Sequence, residues 1–390
     1  MRVLCLTDKT TFPHGEATGF RIMMIAKALI SKGTEFMALS IMANKNPLNK
    51  EVSGISEEVF YKNLCGSTKI VDYKIFRKLL YLRGLVNLTF FMWFKTSRSD
   101  VVYICSHGTL FNLFCIILSQ LKRLRIVQEI NEWEDWIDKK WFTRIMYRRI
   151  MLRYSQGVIA ISENIENLIF QNKHTRKNLK ILRVPIITDI RAIAVTESKN
   201  QPKYGLWMGI IDAYLKDILL ILESLSYMIT RDKNVVFYVI GRYSENSMNT
   251  IKNRCKALKI PEENFRLTGY LDDQELLRFC SLATYFIVPL WNDYKSENRF
   301  PTKISQFLAC GKPIITCNIG ETGKYLSDNE TALFFEPGNS GDLYKKIEWI
   351  YSNTEAAQVI GRKGYQLALN NFHYENYSQK LNRFFTVEIV

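Results

Sequence analysis

The chain has 390 residues, 47% of them hydrophobic, and carries a formal net charge of +15. That length exceeds one ordinary domain and suits two, each with a substantial core, while the absence of low-complexity tracts and short repeats excludes disorder and solenoids. The eight cysteines form no C-x-x-C pair and sit inside apolar patterns, which excludes a disulfide frame or zinc site and predicts buried thiols in a reducing compartment. Residues 1–7 run straight into a strand pattern, so no signal peptide is expected. No apolar run reaches the roughly 20 residues of a membrane-spanning helix. The positive charge calls for a partner: nucleic acid, anionic lipid or a phosphorylated substrate. Nucleic acid ranks last, because no recognised module accompanies the charge.

In chain order, strand patterns alternate with amphipathic helical patterns, as in βα units around a parallel sheet. Strands are expected at 2–7, 35–41, 101–105, 125–129, 157–161 and 180–184. The first βα turn is long and contains Gly15 and Gly19. These let backbone approach a ligand ahead of a helix whose N-terminus favours an anion. The helix carries Ile22, Ile25, Ala26 and Leu29 on one face and stops at Gly33. The spacing G-x-x-x-G is not the dinucleotide fingerprint, so a nicotinamide site is not expected.

Two stretches join cations to large apolar residues. Residues 74–95 combine Lys74, Arg77, Lys78 and Arg83 with Leu79, Leu80, Phe90, Phe91, Trp93 and Phe94. Residues 139–153 place Lys140, Arg144 and Arg148 on one stripe and Phe142, Ile145, Met146 and Ile150 on another. Both have the composition of helices lying on an anionic bilayer, and equally of core helices with a solvated basic side. Between them, Glu129-Ile-Asn131-Glu132-Trp-Glu134-Asp135 ends a strand in carboxylates. These acids cap or pair with the basic helix that follows, or Glu132 faces a ligand beyond the strand end. His107, after the 101–105 strand, is a second candidate.

Between Asp189 and Tyr204 the chain turns polar and reads as a linker. Strands resume at 205–209, 235–240, 264–268, 284–289, 313–316 and 332–335. Lys216 lies after the first of these, and Gly241 and Arg242 end the second. The stretch from Arg299 to Thr316 reads as a polar loop, a short helix opened by Pro301, a stop at Gly311 and a buried strand. Ile304, Phe307 and Leu308 form the apolar face; Thr302, Lys303 and Gln306 lie opposite. That helix presents a hydroxyl, a cation and an amide where backbone N–H groups already favour an anion.

Pro301-Thr-Lys303-Ile-Ser-Gln306-Phe-Leu-Ala-Cys-Gly311-Lys-Pro313 resembles the signature P-x-K-x-x-E-Y-x-A-x-G-K-P of glycosyltransferase family 4. Gln306 stands where that family has a Glu on the donor ribose, and Asn298 stands where many members have a second Glu. Trp207-Met-Gly209-Ile210 to Lys216-Asp217 resembles the family's G-R-x-x-x-x-K-G, with Ile210 for the Arg and Asp217 for the closing Gly. The first loop, the 239–242 and 265–271 strand ends, and the 320–323 and 336–339 loops also resemble family positions.

The resemblance implies an α/β protein with the GT-B fold, two doubly wound Rossmann-like domains facing a cleft. An acceptor domain would cover 1–190, joined by the closing segment 371–390, and a nucleotide-sugar domain would cover 200–370. It implies a retaining transferase using a nucleotide-diphosphate sugar, with no further cofactor and no metal. Gly15, Gly19, Lys216, Gly241, Arg242, Thr302, Lys303 and Gln306 would bind the donor, and Glu132 would be catalytic. The acceptor would be a saccharide or polyprenyl-linked saccharide of bacterial surface polysaccharide, lipopolysaccharide or capsule, met in the cytoplasm at the inner face of the membrane. The alternatives are a sugar-nucleotide epimerase of the same fold and a non-catalytic binding or scaffold relic.

Overall fold

A computed structural model describes residues 1–8, 10, 12–15, 17–42, 46, 48–68, 73–133, 140–193 and 203–389. The chain divides into two units, Met1–Thr188 with His373–Val390, and Asp189–Phe372. Much of the expected linker, residues 194–202, lies outside the described residues.

The first unit holds an eight-stranded sheet in the order β3-β4-β2-β1-β5-β6-β7-β8. Its strands are β1 (Arg2–Thr7), β2 (Glu35–Ser40), β3 (Ser53–Ser56), β4 (Val59–Asn63), β5 (Val101–Ile104), β6 (Arg125–Ile130), β7 (Gly157–Ala160) and β8 (Lys180–Arg183). Every neighbouring pair is parallel except β3–β4. That edge hairpin was not expected from the sequence. Its turn is Glu57-Glu58, both at positive φ, where a hairpin turn normally shows Asn-Gly or Asp-Gly.

The helix Ala17–Ile30 buries Ile22, Ile25, Ala26 and Leu29 against the sheet and ends before Gly33 at φ +78°. Leu381, Phe384, Phe385 and Ile389 of the C-terminal segment complete the same core, so its amphipathic pattern closes this unit. The two basic stretches separate clearly. In 141–154 the buried face is not the expected stripe: Met146 is buried, but Phe142 is exposed and Ile145 and Ile150 are half-buried, and Tyr147, Met151 and Leu152 turn to the core instead, because the segment passes through a π-helical turn that shifts the helical phase. The helix Lys74–Phe94 buries only Gly84, Leu88 and Met92. Gly84 seats it: a Cβ there would lie 2.2 Å from the Ile41 carbonyl oxygen. Among the described residues, no helix is long and apolar enough to cross a membrane.

The second unit holds a six-stranded, wholly parallel sheet in the order β11-β10-β9-β12-β13-β14. These are β9 (Tyr204–Met208), β10 (Val236–Ile240), β11 (Phe265–Gly269), β12 (Tyr285–Val288), β13 (Ile314–Thr316) and β14 (Leu333–Phe334). Parallel strands covered on both faces read as continuous apolar runs. The twelve strands expected from the sequence are therefore all present, within one residue at each end. The short helix begins at Lys303 and not at Pro301: Thr302 is its cap, and the Pro301 carbonyl accepts from Ile304 N–H at 3.1 Å. Ile304, Phe307 and Leu308 are fully buried, and Gly311 ends the helix at φ +67°.

Candidate functional site

In an open parallel sheet, ligands bind beyond the strands' carboxyl ends where strand order reverses. In the second unit that point lies between β9 and β12. Gly209 follows β9 and Gly241 follows β10, in contact: a Cβ on Gly241, at φ +146°, would stand 1.7 Å from the Gly209 carbonyl oxygen. Two bare backbones thus line the rim, held by Gly209 N–H to Ile240 O and Gly241 N–H to Gly269 O, both 2.9 Å.

Lys303 reaches this rim from its helix. Its Nζ lies 4.2 Å from the centre of the Trp207 ring and 5.1 Å from that of Tyr214. The residue is half-buried, and its ammonium end lies against these two rings. Burial pushes its pKa down to about 8; the Asp217 carboxylate opposes this and Arg299 adds to it. Asp217 is 2% exposed and accepts the Trp291 indole N–H at 2.7 Å. Burial holds its carboxyl above the usual range, against the pull of Lys303, the Trp291 hydrogen bond, Lys216 and Arg299. Lys216 lies 4.4 Å over the Trp291 ring and pairs with Asp293 at 3.0 Å. Arg299 donates to the Tyr214 hydroxyl at 2.6 Å. Lys216, Arg299 and Lys303 thus gather around one buried acid and three aromatic rings. A desolvated cation is one whose missing hydration a multivalent anion can replace, so the cluster is chemically a seat for a diphosphate.

The sequence-derived donor residues divide between the units. Lys216, Gly241 and Lys303 come together here. Thr302 and Gln306 are half-buried on the Lys303 helix, and Arg242 stacks at 4.8 Å on Tyr270 beside the end of β11. Gly15, Gly19 and Glu132 belong to the first unit. Gly15 is exposed in the first loop, and Gly19 is buried in the first turn of the following helix. Sequence reasoning passed over Trp207, Tyr214 and Trp291; aromatic residues at successive strand ends were the available signal.

In the first unit, strand order reverses between β1 and β5. Here the Ser106 hydroxyl donates to Asp8 at 2.7 Å, and a Cβ on Gly108 would meet the same carboxylate at 2.4 Å. Exposed His107 sits between them in the chain. Glu132 is half-buried two residues past β6, followed by buried Trp133, whose ring carries the Arg148 guanidinium at 5.8 Å. Glu134 and Asp135 lie outside the described residues. Glu129 is structural: it pairs with buried Arg21 at 2.5 Å and accepts from the Tyr103 hydroxyl. Arg21 also donates to the carbonyls of Pro185 and Val184. Among the described residues, no group of three or more His, Cys, Asp or Glu is placed to hold a metal ion.

Residues 190–367 match the family described as Glycosyl transferases group 1. A curated protein of Methanocaldococcus jannaschii, described as an uncharacterized glycosyltransferase, is 22% identical over 213 residues, and the match spans 54% of each chain. Among solved structures, Anabaena HepE in complex with UDP and glucose superposes with a TM-score of 0.74 at 13% identity, covering 98% of this chain and 99% of that one. Sucrose-phosphate synthase of Thermosynechococcus elongatus gives 0.75 at 14% identity, covering 99% and 98%. The fold is that of the GT-B glycosyltransferases, with two sheets of mostly parallel strands. Family match and fold together support a GT-B glycosyltransferase.

Proposed function

We propose that this protein transfers a sugar, with retention of anomeric configuration, from a nucleotide-diphosphate donor to a saccharide or lipid-linked saccharide in bacterial surface polysaccharide assembly. The observation that carries the reading is the Lys303 ammonium set against the Trp207 ring at the β9/β12 switch point, beside the closely packed Gly209 and Gly241 backbones. In this scheme Lys303 and Lys216 take up the charge of the leaving diphosphate at the half-buried rim formed by Gly209 and Gly241. Gln306 holds the ribose, with Thr302 and Arg242 as further donor contacts. Gly15 and Gly19 are further donor residues in this scheme, and Glu132 is the group for the acceptor hydroxyl. The rate enhancement comes from positioning and charge stabilisation, with no metal or further cofactor. The acceptor is met on the cytoplasmic side, at an anionic membrane surface.

A second reading, a non-catalytic sugar-nucleotide binder, is favoured by Gln306 and by Ile210 in place of a charged donor contact. Incubation with radiolabelled UDP- and GDP-sugars, followed by anomer analysis of the product by NMR, separates the readings. A retained α- or β-configuration in a transferred sugar supports the transferase. Binding without turnover supports the binder, and an altered free sugar nucleotide would indicate an epimerase.

A further inference from the structure

The helix Lys74–Phe94 is stranded on the surface of the first unit. Ile75, Phe76, Leu79, Leu82, Phe90 and Phe94 are each more than half exposed, and only three of its 21 residues are buried. Scattered exposed apolar residues are ordinary, but a contiguous row of this size on one helix marks an interaction face. The face continues onto the helix Thr109–Leu121, where Leu110 and Leu121 are exposed to a similar degree. Lys122 joins the two helices, donating to the Trp93 carbonyl at 2.8 Å with its Nζ 5.4 Å from the Trp93 ring. Among the described residues, nothing covers this surface.

Charge decides what fits it. Lys74, Arg77, Lys78 and Arg83 border the apolar row, and neither helix contains an Asp or Glu. A second copy of the same face would set cations against cations, because a two-fold interface pairs a patch with itself. An anionic bilayer complements both properties at once: the rings and aliphatic chains enter the headgroup boundary while the Lys and Arg ends stay with lipid phosphates.

The position suits the chemistry. Because β4 runs parallel to β1 and β2, the chain enters this helix at the carboxyl end of the sheet, the end that carries Asp8, Ser106 and Glu132. Tyr81, on the inner side of the helix, is close enough to Asp8 that the carboxylate, after burial, pushes its phenol up. The basic turn from Lys74 to Lys78 is therefore at the acceptor end of the unit.

We propose that the Lys74–Phe94 helix, extended by Leu110 and Leu121, is the face with which the protein docks on an anionic lipid bilayer, bringing the acceptor end of the first unit to membrane-anchored substrate. This names the partner of the transferase reading above and rests on it for the identity of the substrate, though not for the docking itself.

The test is cosedimentation of the full chain with vesicles of phosphatidylglycerol and phosphatidylcholine, against vesicles of phosphatidylcholine alone. Binding to the anionic vesicles is expected, weakening as salt is raised. The combined variant Phe76→Ser, Leu79→Ser, Phe90→Ser, Phe94→Ser should lose binding at least about tenfold, as should Lys74→Glu, Arg77→Glu, Lys78→Glu. These residues are exposed, so folding is checked by an unchanged melting temperature and circular dichroism spectrum. Absence of vesicle binding by the parent chain overturns the proposal, as does full binding by the serine variant. So does light scattering that shows a parent dimer dispersed by the serine substitutions, since the face would then belong to a second copy. Vesicle binding with neither UDP nor GDP bound would leave docking intact and defeat the transferase reading; turnover of a sugar nucleotide without vesicle binding would do the reverse.

Discussion

The Trp291 indole donates to Asp217 at 2.7 Å and so anchors the carboxylate whose charge holds up the Lys303 ammonium. The two residues are 74 positions apart in the chain. Burial of the Lys303 ammonium makes the proposed donor seat sensitive to pH. Lys303 is charged below about 8 and loses its proton as pH rises through that value. A bound diphosphate stabilises the charged form, so UDP affinity should be full below that point and fall above it. Asp217→Asn keeps an acceptor for Trp291 but removes the opposing charge. The fall in UDP affinity should then move to lower pH, read by calorimetry from about pH 6 to about pH 9.5. Identical profiles for parent and variant would refute this assignment.

Lys303 also leaves a mark on stability. Its pKa is about 8 when folded against 10.5 for the free side chain, so the unfolded chain binds the extra proton between these values. Stability from this group therefore rises with pH across that window. Lys303→Met should flatten the rise and abolish detectable UDP binding. Urea denaturation at several pH values measures the first effect, and calorimetry the second.

Lys216 should behave differently. Its ion pair with Asp293 is exposed, at 53% and 39% for the two side chains. Lys216→Ala should cost less than about 1 kcal/mol of stability. UDP affinity should nevertheless drop about tenfold, as expected for one lost charge-assisted contact. A melting temperature lowered in step with affinity would show that Lys216 serves the fold and not the ligand.

Gln306→Glu should strengthen UDP binding by about 1 kcal/mol, because an ionised acceptor bonds hydroxyls more strongly than an amide. Calorimetry with UDP and with uridine checks whether the gain comes from the ribose. An effect on UDP that vanishes with uridine would assign Gln306 to the diphosphate.

In the first unit, Arg21→Met should cost about 3–5 kcal/mol, since it strands the buried Glu129 carboxylate. The double variant Arg21→Met, Glu129→Gln should recover part of this. Chemical denaturation gives both values, and strict additivity would contradict a coupled pair.

The sheets were legible in the sequence because buried parallel strands are continuous runs of Val, Ile, Leu and Phe between helical patterns. The edge hairpin was not, because Glu57 and Glu58 carry no turn signal and β3 has no apolar face. The Lys303 helix was legible in its apolar side, its stop and its family resemblance. Helical spacing put Lys303 on the polar side, yet Trp207 and Tyr214 enclose its ammonium, and those contacts come from strand and loop residues about 90 positions away. The same limit hid Trp291 and Asp217. Charge and composition made two basic stretches look alike, and only burial told the one around Met146 and Met151 from the one around Phe76 and Phe90.

Gly84 has a consequence for how this surface can change over time. With no side chain at that position, the Lys74–Phe94 helix rests backbone to backbone on the turn after β2. Its inner seat admits almost no substitution, whereas its outward positions are unconstrained by the core. Relatives could therefore retune what the helix grips, residue by residue, without disturbing the unit that carries it.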